Sequence, residues 1–173
     1  MKNQRRSFIF NAGIAAASLF LSKKLNKKKR FQHFYKSKGP IFLSTWSHGL
    51  EANKEALKTI ESGGSGLDAV EQGVRIIESD PQNTSVGLGG MPDSTGKIAL
   101  DACIMSSDGS CGAVCMLENI EHPISVARKV MEDTPHVLLA AEGAFDFAIS
   151  KGFKKKNLNI QIGLETTEKK NNK

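Results

Sequence analysis

The chain has 173 residues, 39% of them hydrophobic, which is enough for one domain with a core and too few for two ordinary ones. Its net charge of +6 is unevenly placed: residues 1–38 carry eleven Lys/Arg and no acid, 39–150 carry six bases against sixteen acids, and 151–173 carry seven against two. The middle is therefore acidic by ten charges, a poor surface for nucleic acid, and the isoelectric point near 9.3 belongs to the two ends.

In chain order, Arg5-Arg6-Ser7-Phe8-Ile9 leads into an uncharged run from Ser7 to Leu21, closed by the basic Lys23-Lys24 and Lys27-Lys28-Lys29-Arg30. This is the layout of a twin-arginine export signal, so residues 1–38 are read as that signal with a basic linker, sending the chain to the periplasm or beyond. A run of 15 residues spans about 22 Å as a helix against a bilayer core of about 30 Å, and no stable membrane span is expected.

Residues 41–46, apolar and β-prone, predict a strand. A helix over 50–60 follows, with Leu50, Ala56, Leu57 and Ile60 on one face and Gly63-Gly64 as its stop. Leu67, Val70, Val74 and Ile77 then form the buried stripe of a second helix over 66–79, opened by a Ser65/Asp68 capping box and ended by Asp80-Pro81. Residues 83–96 read as a Gly/Pro/Asn loop, and 97–105 as a strand joined through Asp108-Gly109 to a second strand over 111–117. Pro123 sits where a first helical residue belongs, ahead of Ile124, Ala127, Val130 and Met131, and Thr134-Pro135 ends that helix. Residues 136–140 fit a short strand or a helix start, and Ala144, Phe145 and Ala148 a last helix stopped by Gly152. The expected class is α/β, helices packed on a sheet with an antiparallel hairpin, in a domain over 39–153; the Lys/Asn-rich residues 154–173 read as a disordered tail.

Few residues suggest chemistry by themselves. Gly87-Leu88-Gly89-Gly90 is followed by turn formers rather than a helix, so it is read as a structural loop and not a phosphate cradle. His33, His48, His122 and His136 are scattered, and Asp80, Asp93, Asp101 and Asp108 fall at turns and strand ends. Cys103, Cys111 and Cys115 lack metal-ligand spacing; buried thiols are expected, with one disulfide allowed in an oxidising compartment. Trp46, alone at a strand end, reads on base rate as a core residue.

Five ordered phrases go further: Ser44-Thr45-Trp46; Gly63-Gly64 with Leu67-Asp68-Ala69-Val70-Glu71-Gln72-Gly73-Val74-Arg75; Ser85-Val86-Gly87-Leu88-Gly89-Gly90-Met91-Pro92-Asp93; Leu100-Asp101-Ala102-Cys103-Ile104-Met105; and Pro123-Ile124-Ser125-Val126-Ala127-Arg128-Lys129-Val130-Met131. Over residues 39–156 they resemble the α-chain of the glycosylasparaginases (aspartylglucosaminidases), N-terminal-nucleophile hydrolases. The third phrase sets them apart from the isoaspartyl peptidases and plant-type asparaginases, which usually carry Phe-Asn-Ala-Gly in that loop.

The resemblance implies half of a four-layer αββα sandwich and cleavage of the amide between N-acetylglucosamine and an asparagine side chain. It implies no cofactor and no metal. The family's nucleophile is a threonine freed by self-cleavage at a His-Asp-Thr-Ile-Gly segment, and this sequence has no such segment. None of Thr45, Thr59, Thr84, Thr95, Thr134, Thr166 or Thr167 has that context, so no catalytic residue is assigned and the chain alone is expected to be inactive. A β-chain carrying the threonine is the implied partner, in an (αβ)2 enzyme acting on a glycoasparagine. Trp46 is the one implied substrate contact, an apolar wall, although Ser47 and His48 replace the Asn and aromatic residue usual beside it. After Met105 the family usually continues with Asp, where this chain has Ser106-Ser107-Asp108. Two alternatives stand beside this reading: a truncated, non-catalytic exported protein, and half of an asparaginase or isoaspartyl peptidase.

Overall fold

The computed structural model describes residues 39–158. The chain divides into two compact units, Met1–Ile41 and Phe42–Lys173, and the elements below belong to the second. The export signal expected over 1–38 lies outside the described residues, as does most of the expected tail.

Helix α1 (Gly49–Glu61) is followed after a Gly63-Gly64 turn by α2 (Gly66–Glu78). The capping box is formed: Ser65 Oγ accepts from Asp68 N at 3.1 Å, and Ser65 N donates to the Asp68 carboxylate at 2.9 Å. Strands β1 (Ala99–Met105) and β2 (Cys111–Glu118) pair antiparallel, with the Asp108 carboxylate accepting from Ser110 N at 2.9 Å and Gly109 at φ 91 in the connecting turn. Helix α3 (Pro123–Asp133) starts on Pro123 and ends at Thr134, whose hydroxyl donates to the Val130 carbonyl at 2.8 Å. Residues Leu138–Ala140 resolve into a strand, β3, parallel to β2, and α4 (Ala141–Ser150) follows. Among the described residues the result is an α/β fold with four α-helices and a three-stranded mixed sheet in the order β1-β2-β3.

One sheet face carries the core. Ile104, Val114 and Leu117 meet Ile124, Val126, Ala127 and Val130 of α3 and Ala144 and Ala148 of α4, all 4% exposed or less. Gly112 lets α3 approach the sheet, since a Cβ there would lie 2.1 Å from the Ala127 carbonyl oxygen. A second cluster joins Leu88, Ile98, Leu100 and Leu158.

Two expectations are corrected. Residues 41–46 form no strand: Ile41 is 61% and Leu43 92% exposed, and among the described residues no neighbouring strand takes up their N–H and C=O groups. The stripe on α2 is only partly buried, Val70 being 48% exposed. Leu67 and Val74 pack against the core while Val70, between them, does not, and α1 crosses α2 closely at Gly73, where a Cβ would come within 2.6 Å of the Ala52 carbonyl oxygen.

Candidate functional site

Trp46 lies in the turn that leads into α1. Gly49 N donates to the Trp46 carbonyl at 2.9 Å, and Ser44 Oγ donates to Asn53 Oδ1 at 2.7 Å. The turn closes only on glycine, because a Cβ on Gly49 would meet Ser44 Cβ at 2.2 Å. The indole is 72% exposed and belongs to neither core cluster, so its base-rate reading as a core residue is corrected. The physical reason is the missing strand, which would have carried Trp46 against the sheet.

The second feature is the sheet face turned away from α3 and α4. Cys103 is exposed on it together with Met105 (67%), Met116 (57%) and Leu138 (52%). Its middle is a bulge: Leu100 faces Leu117 and Ala102 faces Val114, so Asp101 opposes both Cys115 and Met116. Met116 sits at φ 51, and its N–H donates to Asp101 Oδ1 at 2.7 Å. A hydrogen bond to Asp101, with burial second, pushes the Cys115 thiol pKa up. All three thiols are free, and Cys103 is exposed rather than buried as expected. At the rim is a cleft of about 180 Å³ lined by Met116, Glu118, Asn119, Ala141, Glu142 and Phe145. It gathers the positive-φ non-glycine residues of the described chain, Met116, Asn119 and Ala141.

The remaining candidates have structural occupations. Thr59 Oγ1 donates to the Glu55 carbonyl and Thr134 Oγ1 to the Val130 carbonyl, while Thr95 Oγ1 donates to the Asp93 carboxylate within an exposed turn. Thr166, Thr167 and His33 lie outside the described residues. His122 meets Glu78 rather than a nucleophile. Among the described residues no group of three or more His, Cys, Asp or Glu is placed to hold a metal ion, and no helix is long and apolar enough to cross a membrane.

Reading by sequence missed a polar seam between α2 and α3. Arg128 Nη1 reaches Asp68 at 2.6 Å and Glu71 at 2.7 Å while its Nε reaches Glu132 at 2.6 Å. Ser125 Oγ donates to Glu71 at 2.5 Å and accepts from Arg75 at 2.6 Å. Asp68, Glu71, Arg75 and Glu78 recur at three and four residues along α2, a spacing that could have shown the seam had it been sought in charges as well as in apolar residues. The Asp101 clamp left no comparable signal, because a bulge depends on cross-strand register.

A three-stranded mixed sheet covered by helices on one face and carrying exposed apolar side chains on the other defines the described residues as an α/β unit. The chain belongs to the asparaginase family: the Asparaginase_2 model, described as Asparaginase, matches residues 45–173. It is 51% identical over 91% of its length to the N(4)-(beta-N-acetylglucosaminyl)-L-asparaginase of Elizabethkingia miricola, covering 47% of that protein. To the rat protein of the same name it is 44% identical over 69% of its length, covering 35% of the relative. With the isoaspartyl peptidase of Salmonella typhimurium it shares 42% over 55% of its length, covering 30%. The chain thus spans about a third to a half of the length of these curated relatives.

Proposed function

We propose that this chain is the α-chain-like part of an N4-(β-N-acetylglucosaminyl)-L-asparaginase. The observation that carries the reading is the 51% identity over 91% of the chain to a protein of that name. In the proposed reaction a threonine at a new N-terminus, on polypeptide outside this chain, attacks the side-chain carbonyl with its own α-amine as base. Backbone and side-chain donors hold the oxyanion, a β-aspartyl ester forms, and water releases aspartate. Self-cleavage of a precursor would generate that threonine. Trp46, already exposed and fixed by its turn, supplies an apolar wall beside the substrate.

The bare sheet face supports the structural side of the proposal. Met105, Met116 and Leu138 stand exposed on a sheet whose outer strands β1 and β3 have no further partner strand among the described residues, which suits one inner face of a four-layer αββα sandwich completed by a β-chain in an (αβ)2 assembly. Residues 1–38 are proposed as a twin-arginine signal that delivers the hydrolase domain, 39–153, to the periplasm or outside the cell, with 154–173 as its Lys/Asn-rich tail.

Coexpression with the β-chain of a close relative tests this directly. The pair releases aspartate from an asparagine-linked glucosamine, and the chain purified alone does not. Turnover by the chain alone, or a folded pair without activity, refutes the proposal. The similarity to isoaspartyl peptidases and plant-type asparaginases, 42% to 47% identical over 52% to 55% of the chain, motivates the second reading. A pair that hydrolyses free asparagine or a β-aspartyl peptide in preference to the glycoasparagine selects it.

A further inference from the structure

The turn between β1 and β2 sets a carboxyl group beside a peptide nitrogen able to attack it, at Asp108 and Gly109, and both residues are exposed. Gly109 has no side chain to shield its nitrogen, and a Cβ built on it would meet nothing within 4 Å. In the folded turn, however, Ser106 occupies both groups. Its carbonyl accepts from Gly109 N at 3.1 Å, and its hydroxyl donates to the Asp108 carboxylate, which also accepts from Ser110 N at 2.9 Å. Ser106 N closes the turn on the Ser110 carbonyl at 2.8 Å, next to the Met105–Cys111 pair that ends the strand ladder.

We propose that Asp108-Gly109 is a self-modification site, converting to an isoaspartyl linkage, and that Ser106 is the residue that holds the conversion back in the folded hairpin. In the first step Gly109 N bonds to Asp108 Cγ. The nitrogen gives up its proton and the carboxyl its hydroxyl, which leave together as water, and a five-membered succinimide remains. Water then opens the ring. Attack at Cγ restores aspartate, whereas attack at the main-chain carbonyl carbon leaves Gly109 joined through Cγ and frees the former main-chain carbonyl as a carboxylate. One water leaves and one returns, so no other reactant is consumed.

The folded turn opposes the first step at both ends. Its bond to the Ser106 carbonyl fixes the peptide plane of Gly109, so the nitrogen cannot rotate onto Cγ. The Ser106 hydroxyl first, and the Ser110 N–H second, hold the Asp108 pKa below the ordinary carboxylate range, and an ionised carboxyl has no hydroxyl to lose. Conversion would add one main-chain atom, because the chain then runs through Cβ and Cγ. Hairpin register follows loop length, so the bonds across the turn are lost and the ladder is released at Met105, on the bare apolar face.

Incubation of the full chain at pH 5, in buffer and in urea, tests this. Tryptic peptide 98–128 holds both Asp108 and Asp101 without an internal Lys or Arg, and electron-transfer fragmentation tells the isomers apart. Asp101, followed by Ala102, is the internal reference. In urea isoaspartate accumulates at 108 and lags at 101, and Gly109→Ala slows it because a methyl group crowds the nitrogen. In buffer the wild type accumulates it several-fold more slowly than in urea. Ser106→Ala, checked for folding by circular dichroism, loses most of that protection, and Ser106→Thr, which keeps a hydroxyl, retains it. Equal accumulation in buffer and urea overturns the proposal, as do equal rates at 101 and 108 in urea. A folded Ser106→Ala chain that ages no faster than wild type, or a Ser106→Thr chain as fast as Ser106→Ala, overturns the role of Ser106.

Discussion

Replacing Gly112 by alanine tests how closely α3 rests on the sheet. A Cβ there would lie 2.1 Å from the Ala127 carbonyl oxygen, 2.6 Å from Met131 N and 2.8 Å from Met131 Cβ. Two of these are backbone atoms of a helix, so no side chain can swing aside, and α3 must withdraw by roughly 1 Å to restore van der Waals separation. Val126, Ala127 and Val130 are fully buried at that interface, and a gap of that size forfeits a quarter to a half of each contact well. Overpacking of this kind costs about 3 kcal/mol, from which about 0.5–1 kcal/mol is recovered because alanine restricts the unfolded chain. The net loss of about 2 kcal/mol lowers the melting temperature by roughly 10 °C, measured by far-UV circular dichroism. Gly143→Ala is the control: it lies inside α4 with nothing within 4 Å of a built Cβ, and should gain about 0.5–1 kcal/mol. A Gly112→Ala melt within a degree of wild type would refute the close packing of α3 on β2.

Arg128→Met leaves Glu71, 13% exposed, without its cation and should cost about 2 kcal/mol in urea unfolding, whereas replacing Arg128 and Glu71 together by apolar residues should cost less. Hydrogen bonds from Ser65 and then Arg128 hold the Asp68 carboxyl down at about 2, so its contribution is complete above about pH 4 and lost as pH falls toward 2; Asp68→Asn should flatten that acid limb. Asp101→Asn removes the carboxylate that raises the Cys115 pKa, and alkylation of Cys115 at pH 8 should accelerate several-fold relative to Cys103, read by peptide mass spectrometry. Trp46→Ala should leave the unfolding midpoint within about 0.5 kcal/mol of wild type and raise the KM of the completed hydrolase; a large loss of stability instead would make Trp46 a packing residue.

What could be read from sequence follows the range of the forces involved. The Ser65/Asp68 box, the Asp108-Gly109 turn and the Pro123 helix start are decided within four residues, and each stands as expected. The strand over 41–46 depended on a neighbour that the described residues do not contain. Glu78 depended on a helix start 46 residues away. Trp46 came into view through family resemblance and not through any local signal, since its exposure is set by the turn at Gly49 rather than by its own chemistry.

The two faces of the sheet pull the same unit in different directions. The covered face is closed by full burial of Leu117, Val126 and Val130 and by the polar seam on α2 and α3, so helices and sheet form one packed layer pair. The opposite face keeps Met105, Met116 and Leu138 in solvent, at a cost of about 25 cal/mol for each Å² of apolar surface left uncovered. The Asp101 carboxylate fixes the bulge by accepting the Met116 N–H, so that face keeps its shape whether or not anything covers it. A preformed apolar face lowers the ordering cost when a complementary sheet packs on it. On the proposed reading, the chemistry belongs to the polypeptide that covers this face, and the chain described here contributes the surface on which it is assembled.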